Sequence, residues 1–113
     1  MTGVYVIRDA DAKLNEVVRR IVAKFNPVRI ILFGSRARSE PGPDSDADLL
    51  VVMPVRGSRR KAATEVDLSL VGVDMPVDVI VVTPEDVERD RGSFGTLIRT
   101  ALLEGRVLHE RAA

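Results

Sequence analysis

Three strongly apolar runs, VRIILF (28–33, interrupted only by Arg29), LLVVM (49–53) and VDVIVV (77–82, interrupted only by Asp78), limit what this chain can fold into. Each is short, rich in β-branched residues and bounded by turn-forming residues, which marks a strand rather than a helix. They lack the polar alternation of a strand with one wet face, so they have to be buried between other elements. The elements that cover them are legible too. Leu14, Val17, Val18, Ile21, Val22 and Phe25 recur at helical spacing. Asp9 or Asp11 can cap that helix, and Asn26-Pro27 stops it. Residues 58–71 read as a second helix with untidy apolar spacing. Thr83-Pro84-Glu85-Asp86 reads as an N-cap, an N1 proline and a near capping box. Phe94, Leu97, Ile98, Ala101 and Leu102 define a last helix, with Gly105 where a C′ glycine would end it, and RVLHE (106–110) follows as a short edge strand.

The predicted order is therefore helix, strand, strand, helix, strand, helix, helix, with an edge strand at the close. This is an α+β fold, a small mixed β-sheet with flanking helices, expected as one domain over residues 1–113. A chain of 113 residues can bury about two thirds of its unfolded surface.

The polar residues between the strands carry the chemistry. Gly34-Ser35 closes the first strand, a polar loop with two prolines and a glycine follows, and Asp46-x-Asp48 heads the second strand. Side chains two apart on a strand share a face, with Cα atoms roughly 6–7 Å apart, so Asp46 and Asp48 point the same way. Asp78 opens the third strand, where a neighbouring strand can bring it beside them. Three carboxylates so placed can clamp two Mg²⁺ ions, as enzymes of phosphoryl and nucleotidyl transfer require. Gly34 lets the backbone approach a ligand closely, Ser35 adds a donor, and Arg36 and Arg38 can neutralise a triphosphate. A bare Asp-x-Asp is as often a solvated turn, and Arg36 and Arg38 serve equally well as a basic turn pairing with Glu40. The buried strand behind the acids and Asp78 across from them favour the metal site.

Other acidic motifs fail on inspection. Asp44, Asp46 and Asp48 have EF-hand spacing, but Leu49 and Val55 stand where glycine and the bidentate glutamate belong. A haloacid-dehalogenase-type phosphatase places its aspartates after a strand, not before one. The Gly-Lys-Ser/Thr ending of a Walker A loop is missing. His109, the lone histidine, reads as an edge-strand residue, and Tyr5 as packing. Arg56, Arg59, Arg60 and Lys61 form a basic run, read as a solvated helix start with phosphate or an acidic partner as the alternative contact.

Composition removes whole classes. Lys+Arg and Asp+Glu number 17 each, so no net basic field draws nucleic acid, and 4% aromatic residues leave little for base stacking. The absence of cysteine excludes a thiol nucleophile and Cys-ligated zinc. No apolar run reaches the ~20 residues of a membrane span, and the start lacks the layout of a signal peptide, so the reading is cytoplasmic.

Gly34-Ser35, ten residues, then Asp46-x-Asp48 resembles the signature of polymerase-beta-like nucleotidyltransferases. With GSRAR, SDADLLVV and the later VDVIVVTPED, the chain is similar to the minimal nucleotidyltransferases (MNT proteins) of prokaryotes. That resemblance implies the nucleotidyltransferase palm fold and Mg²⁺-dependent transfer of NMP, usually AMP from ATP, to a hydroxyl. By it, Asp46, Asp48 and Asp78 bind two Mg²⁺ ions, Gly34 and Ser35 hold the triphosphate, and Arg36 and Arg38 are phosphate contacts. Ser39 departs from the glycine many relatives carry there. Family members often pair with a HEPN-domain ribonuclease toxin and adenylylate one of its tyrosines, which implies an antitoxin with a HEPN partner. The alternatives are an antitoxin that blocks its toxin by binding alone and a small-molecule nucleotidyltransferase. The aliphatic runs suit pairing with a second copy or a partner, and no direct nucleic-acid or membrane contact is expected.

Overall fold

The computed structural model describes residues 9–34, 47–92 and 96–111. Its elements run α1 (Asp9–Phe25), β1 (Arg29–Phe33), β2 (Ala47–Val52), α2 (Arg59–Ser69), β3 (Val77–Val82), α3 (Pro84–Asp90), α4 (Leu97–Glu104) and β4 (Arg106–Glu110). The four strands form one sheet in the order β3-β2-β1-β4. β1 pairs antiparallel with both β2 and β4, whereas β2 and β3 run parallel. The predicted mixed sheet with helices is what forms, closing edge strand included.

Both faces of the central strands are covered, as their strongly apolar runs demand. On one face, Ile30, Leu32, Leu49 and Val51 meet Leu14, Val17 and Ile21 of α1 and Val66 of α2. On the other, Ile31, Phe33, Leu50 and Val52 meet Val82 and the α4 residues Ile98 and Ala101. Burying each such side chain contributes about 1.5–3 kcal/mol, so these two layers hold the sheet that carries the acids.

The ends of the helices follow local chemistry. α1 closes on Asn26, whose left-handed φ of 45° suits asparagine better than most residues and whose N–H donates to Val22 O. Buried Pro27 then prevents continuation. α2 begins at Ser58, whose hydroxyl accepts from Lys61 N, and buries only Val66 within its own length. Leu68 is 64% exposed, which is why its apolar spacing reads poorly: the helix rests on a narrow stripe of Ala62, Ala63 and Val66. Arg20 secures its far end, donating from Nη1 to Val71 O at 2.7 Å and from Nε to Glu16 at 2.9 Å. α3 carries a full capping box, Thr83 with Asp86.

Gly105 corrects the sequence reading. It ends α4 but with φ −80°, not the left-handed conformation of a C′ glycine. Its role is steric. A Cβ there would lie 2.3 Å from Ala101 O and 2.5 Å from Ile31 Cγ2, so only glycine lets the α4–β4 corner lie against β1. Among the described residues no helix is long and apolar enough to cross a membrane.

Candidate active site

Strand register brings two of the three predicted acids together. Asp48 and Asp78 are direct partners in the parallel β2·β3 pair, each the second residue of its strand. Neighbouring strands lie about 4.8 Å apart, and partners point to the same face. Counting by twos, Asp48 shares its face with Leu50 and Val52, and Asp78 shares it with Ile80 and Val82. Those residues belong to the core layer under α4, so both aspartates stand at the open end of that layer. The second strand begins at Ala47, so Asp48 lies inside the ladder rather than ahead of it. The hydrogen bonds on either side therefore fix its backbone.

Gly34 completes this corner. Phe33 is the β1 partner of Asp48, and Gly34 leaves the strand immediately after with φ +78°. A Cβ at Gly34 would lie 2.3 Å from Asp48 Oδ2 and 3.3 Å from its Cγ. The carboxylate occupies the space a side chain would take. The sequence reading gave Gly34 to the approach of a ligand; the close approach seen is that of Asp48 itself. Two hard oxygen donors on adjacent, hydrogen-bonded strands are chemically suited to Mg²⁺. Among the described residues no three acidic or histidine side chains gather as a metal site. Asp46, Ser35, Arg36 and Arg38, which the sequence reading places here, lie outside the described residues, as do Glu40, Asp44 and Tyr5.

Sequence reasoning missed a further carboxylate. Asp67, on the last turn of α2, is close enough to Asp78 to feel its charge. Partial desolvation first, and the Asp78 charge second, raise its carboxyl above the ordinary value. An acid at the end of an untidy helix carries no sequence signal for this, because the α2–β3 turn alone sets the approach.

The basic run divides. Arg59 is no phosphate ligand: Nε and Nη2 donate to the two oxygens of Asp86 at 2.5 and 2.9 Å. Asp86 also accepts from Thr83 N at 2.9 Å and lies 3.3 Å from Arg89. Its side chain is 6% exposed, and the Arg59 hydrogen bond above all holds its carboxyl far below the usual carboxylate range against the opposing effect of burial. Sequence shows the cap but not this clamp across 27 positions. Arg56 and Lys61 stay exposed at the far end of the sheet. His109 sits on β4, as expected of an edge-strand residue, with its Nε2 buried and without a hydrogen-bond partner among the described residues.

Comparison with known proteins agrees with this fold. Among solved structures, the fold is similar to a protein from Sulfolobus solfataricus assigned as a nucleotidyltransferase (TM-score 0.62, 21% identity, 88% of this chain and 79% of that one). It is also similar to a mutant of the toxin–antitoxin MntA–HpeT in which two aspartates two positions apart are replaced by glutamate (TM-score 0.55, 18% identity, 86% of this chain and 72% of that one). No curated protein matches the sequence. The nucleotidyltransferase domain family matches over residues 13–109, a stretch that includes the Gly34 corner and both strands bearing Asp48 and Asp78. The chain therefore belongs to the nucleotidyltransferase domain family, and its chemistry is nucleotidyl transfer.

Proposed function

We propose that this chain, as one nucleotidyltransferase domain, transfers AMP from ATP to a tyrosine hydroxyl of a HEPN-domain toxin and so acts as its antitoxin. The observation that carries the reading is the registered pair Asp48–Asp78 with Gly34 seated against one carboxylate. The likeness to the MntA–HpeT pair, where an Asp-x-Asp pair was the target of mutation, supports the antitoxin role.

In this reading Gly34, Ser35, Arg36 and Arg38 hold the triphosphate, while Asp46, Asp48 and Asp78 hold Mg²⁺. Two Mg²⁺ ions bound there would polarise the α-phosphate and offset charge on the departing pyrophosphate. The acceptor oxygen forms its bond to the α-phosphorus as the bond from that phosphorus to the β-phosphate bridging oxygen breaks. Pyrophosphate leaves with that electron pair. The hydroxyl proton passes to Asp78, on the edge strand β3 and exposed to an incoming acceptor.

The test is incubation with α-³²P-ATP and Mg²⁺, with and without the protein encoded beside this one, next to an Asp48→Asn control. Labelled partner is expected. The control should lose several kcal/mol of transition-state stabilisation, which is several powers of ten in rate. A partner that is bound and silenced yet never labelled would replace this reading with inhibition by occupancy.

A further inference from the structure

Two cavities of similar size lie away from the candidate active site, and their charges are arranged differently. One, of about 420 Å³, is lined by Arg59, Arg89, Asp86 and Asp90 among others. Its cations are consumed by its own acids: Arg59 on Asp86, and Arg89 on Asp86 and Asp90. Its lining is neutral, two cations against two acids.

The other, of about 390 Å³, takes Lys24 from the end of α1, Arg56 from the β2–α2 connection and Lys61 from α2. Phe25, Met53 and Val55 form its apolar part. Glu65 is the single acid in its lining, so three cations and one anion leave an excess of two positive charges, in a chain whose net charge is zero. None of the three cations has an ion pair among the described residues. Lys24 Nζ lies over the Phe25 ring, 5.7 Å from its centroid. Three unpaired cations from three separate segments converge on one concave volume with an apolar wall. Such walls focus a positive field into the space between them.

We infer that this groove binds a phosphate-bearing small anion, the polyphosphate moiety of a nucleotide or inorganic polyphosphate, at a site separate from the one that performs transfer. The volume lies within the range of small-molecule sites. Phosphate fits better than a single carboxylate, because a polyphosphate chain offers enough charge and oxygens to engage all three cations at once. The separation is structural. Met53 of the groove, just past the end of β2, lies five residues from Asp48, about 17 Å at the rise of a strand. A polyphosphate group seated here therefore lies well away from the carboxylate pair, at a site of its own.

The experiment is a titration of ¹⁵N-labelled full chain with inorganic tripolyphosphate, without Mg²⁺, followed by amide shifts. ATP forms a second arm, and citrate at matched ionic strength a third. The expected result is saturable shifts at Lys24, Arg56, Ser58 and Lys61, at least tenfold weaker in an Arg56→Glu/Lys61→Glu variant and unchanged in Asp48→Asn. Equal response to tripolyphosphate and ATP identifies the polyphosphate as the bound group; a stronger response to ATP adds the nucleoside to it. Shifts confined to the Gly34–Asp48–Asp78 corner, or citrate acting as strongly as tripolyphosphate, would overturn the inference. So would affinity unmoved by charge reversal in a variant whose spectrum shows it folded. Nothing in the readout depends on turnover, so the outcome stands whether or not the protein adenylylates a partner.

Discussion

At one end of the sheet two aspartates stand on neighbouring strands in register; at the other, Lys24, Arg56 and Lys61 surround a groove from helix ends and a loop. The chain's balance of 17 cations and 17 anions hides this separation. The two ends also differ in how their charges are held. Asp48 is fixed by ladder hydrogen bonds on both sides and by a glycine shaped to admit its carboxylate. The three cations ride on long, exposed stems. A metal site needs donors at set positions and distances, which strands provide. A phosphate chain needs charge within reach, which flexible side chains provide. Placing like charges side by side on adjacent strands costs stability, so the acid end has a demand of geometry that the basic end lacks.

The sharpest way to break this contrast is to loosen the acid end without touching an acid. Gly34→Ala puts a Cβ where Asp48 Oδ2 sits, at a φ of +78° that alanine also resists. The strain alone costs about 1–2 kcal/mol. Displacing the carboxylate by about 1 Å should lower transfer by roughly 100-fold. Steady-state kinetics beside a thermal melt would check it. Activity near wild type would mean that Asp48 tolerates movement, and the rigid-end argument would fail.

How much of this was legible follows the same division. The strands could be read because short, strongly apolar runs rich in β-branched residues admit few other structures, and VDVIVV (77–82) matches β3 residue for residue. The places of Asp48 and Asp78 on their strands could be read because strand periodicity is local. The register that makes Asp48 and Asp78 partners is not local, and neither is the reason for Gly34, which lies in another residue's carboxylate. Arg59 looked like its basic neighbours, yet its buried partner sets it apart. Gly105 looked like a helix-ending glycine and is a packing glycine instead. In each case the missing fact was a contact between segments distant in sequence.

Just past the Val82 end of β3, Asp86 tests whether a paired charge behaves differently from the groove cations. Asp86→Asn removes the acceptor for Arg59 and weakens the Thr83 cap, and should cost about 2–3 kcal/mol by chemical denaturation. Its folded pKa lies far below the unfolded value near 3.9. Its stabilisation is therefore complete above that value and fades as pH falls below it. The wild type should lose stability between about pH 5 and pH 2 that the variant does not lose. Parallel acid titrations would show the two curves converging; curves that stay parallel would mean the clamp contributes little.

The smallest effect belongs to Asp67, and its sign is the informative part. Its carboxyl is raised, first by partial desolvation and then by the Asp78 charge. A raised acid folds more readily when protonated, so its ionised form opposes folding above the folded pKa and costs nothing below the unfolded one. Asp67→Asn should therefore stabilise the protein at pH 7, and the gain should vanish near pH 3. The residue is exposed, so solvent screening holds the gain to about a few tenths of a kcal/mol. The same substitution in an Asp78→Asn background should gain less, because one of its two causes is gone. An equal gain in both backgrounds would leave desolvation as the whole cause and remove Asp67 from the acid end. A loss of stability at pH 7 would show that the ionised Asp67 favours folding, and the cost assigned to gathering the carboxylates would be wrong.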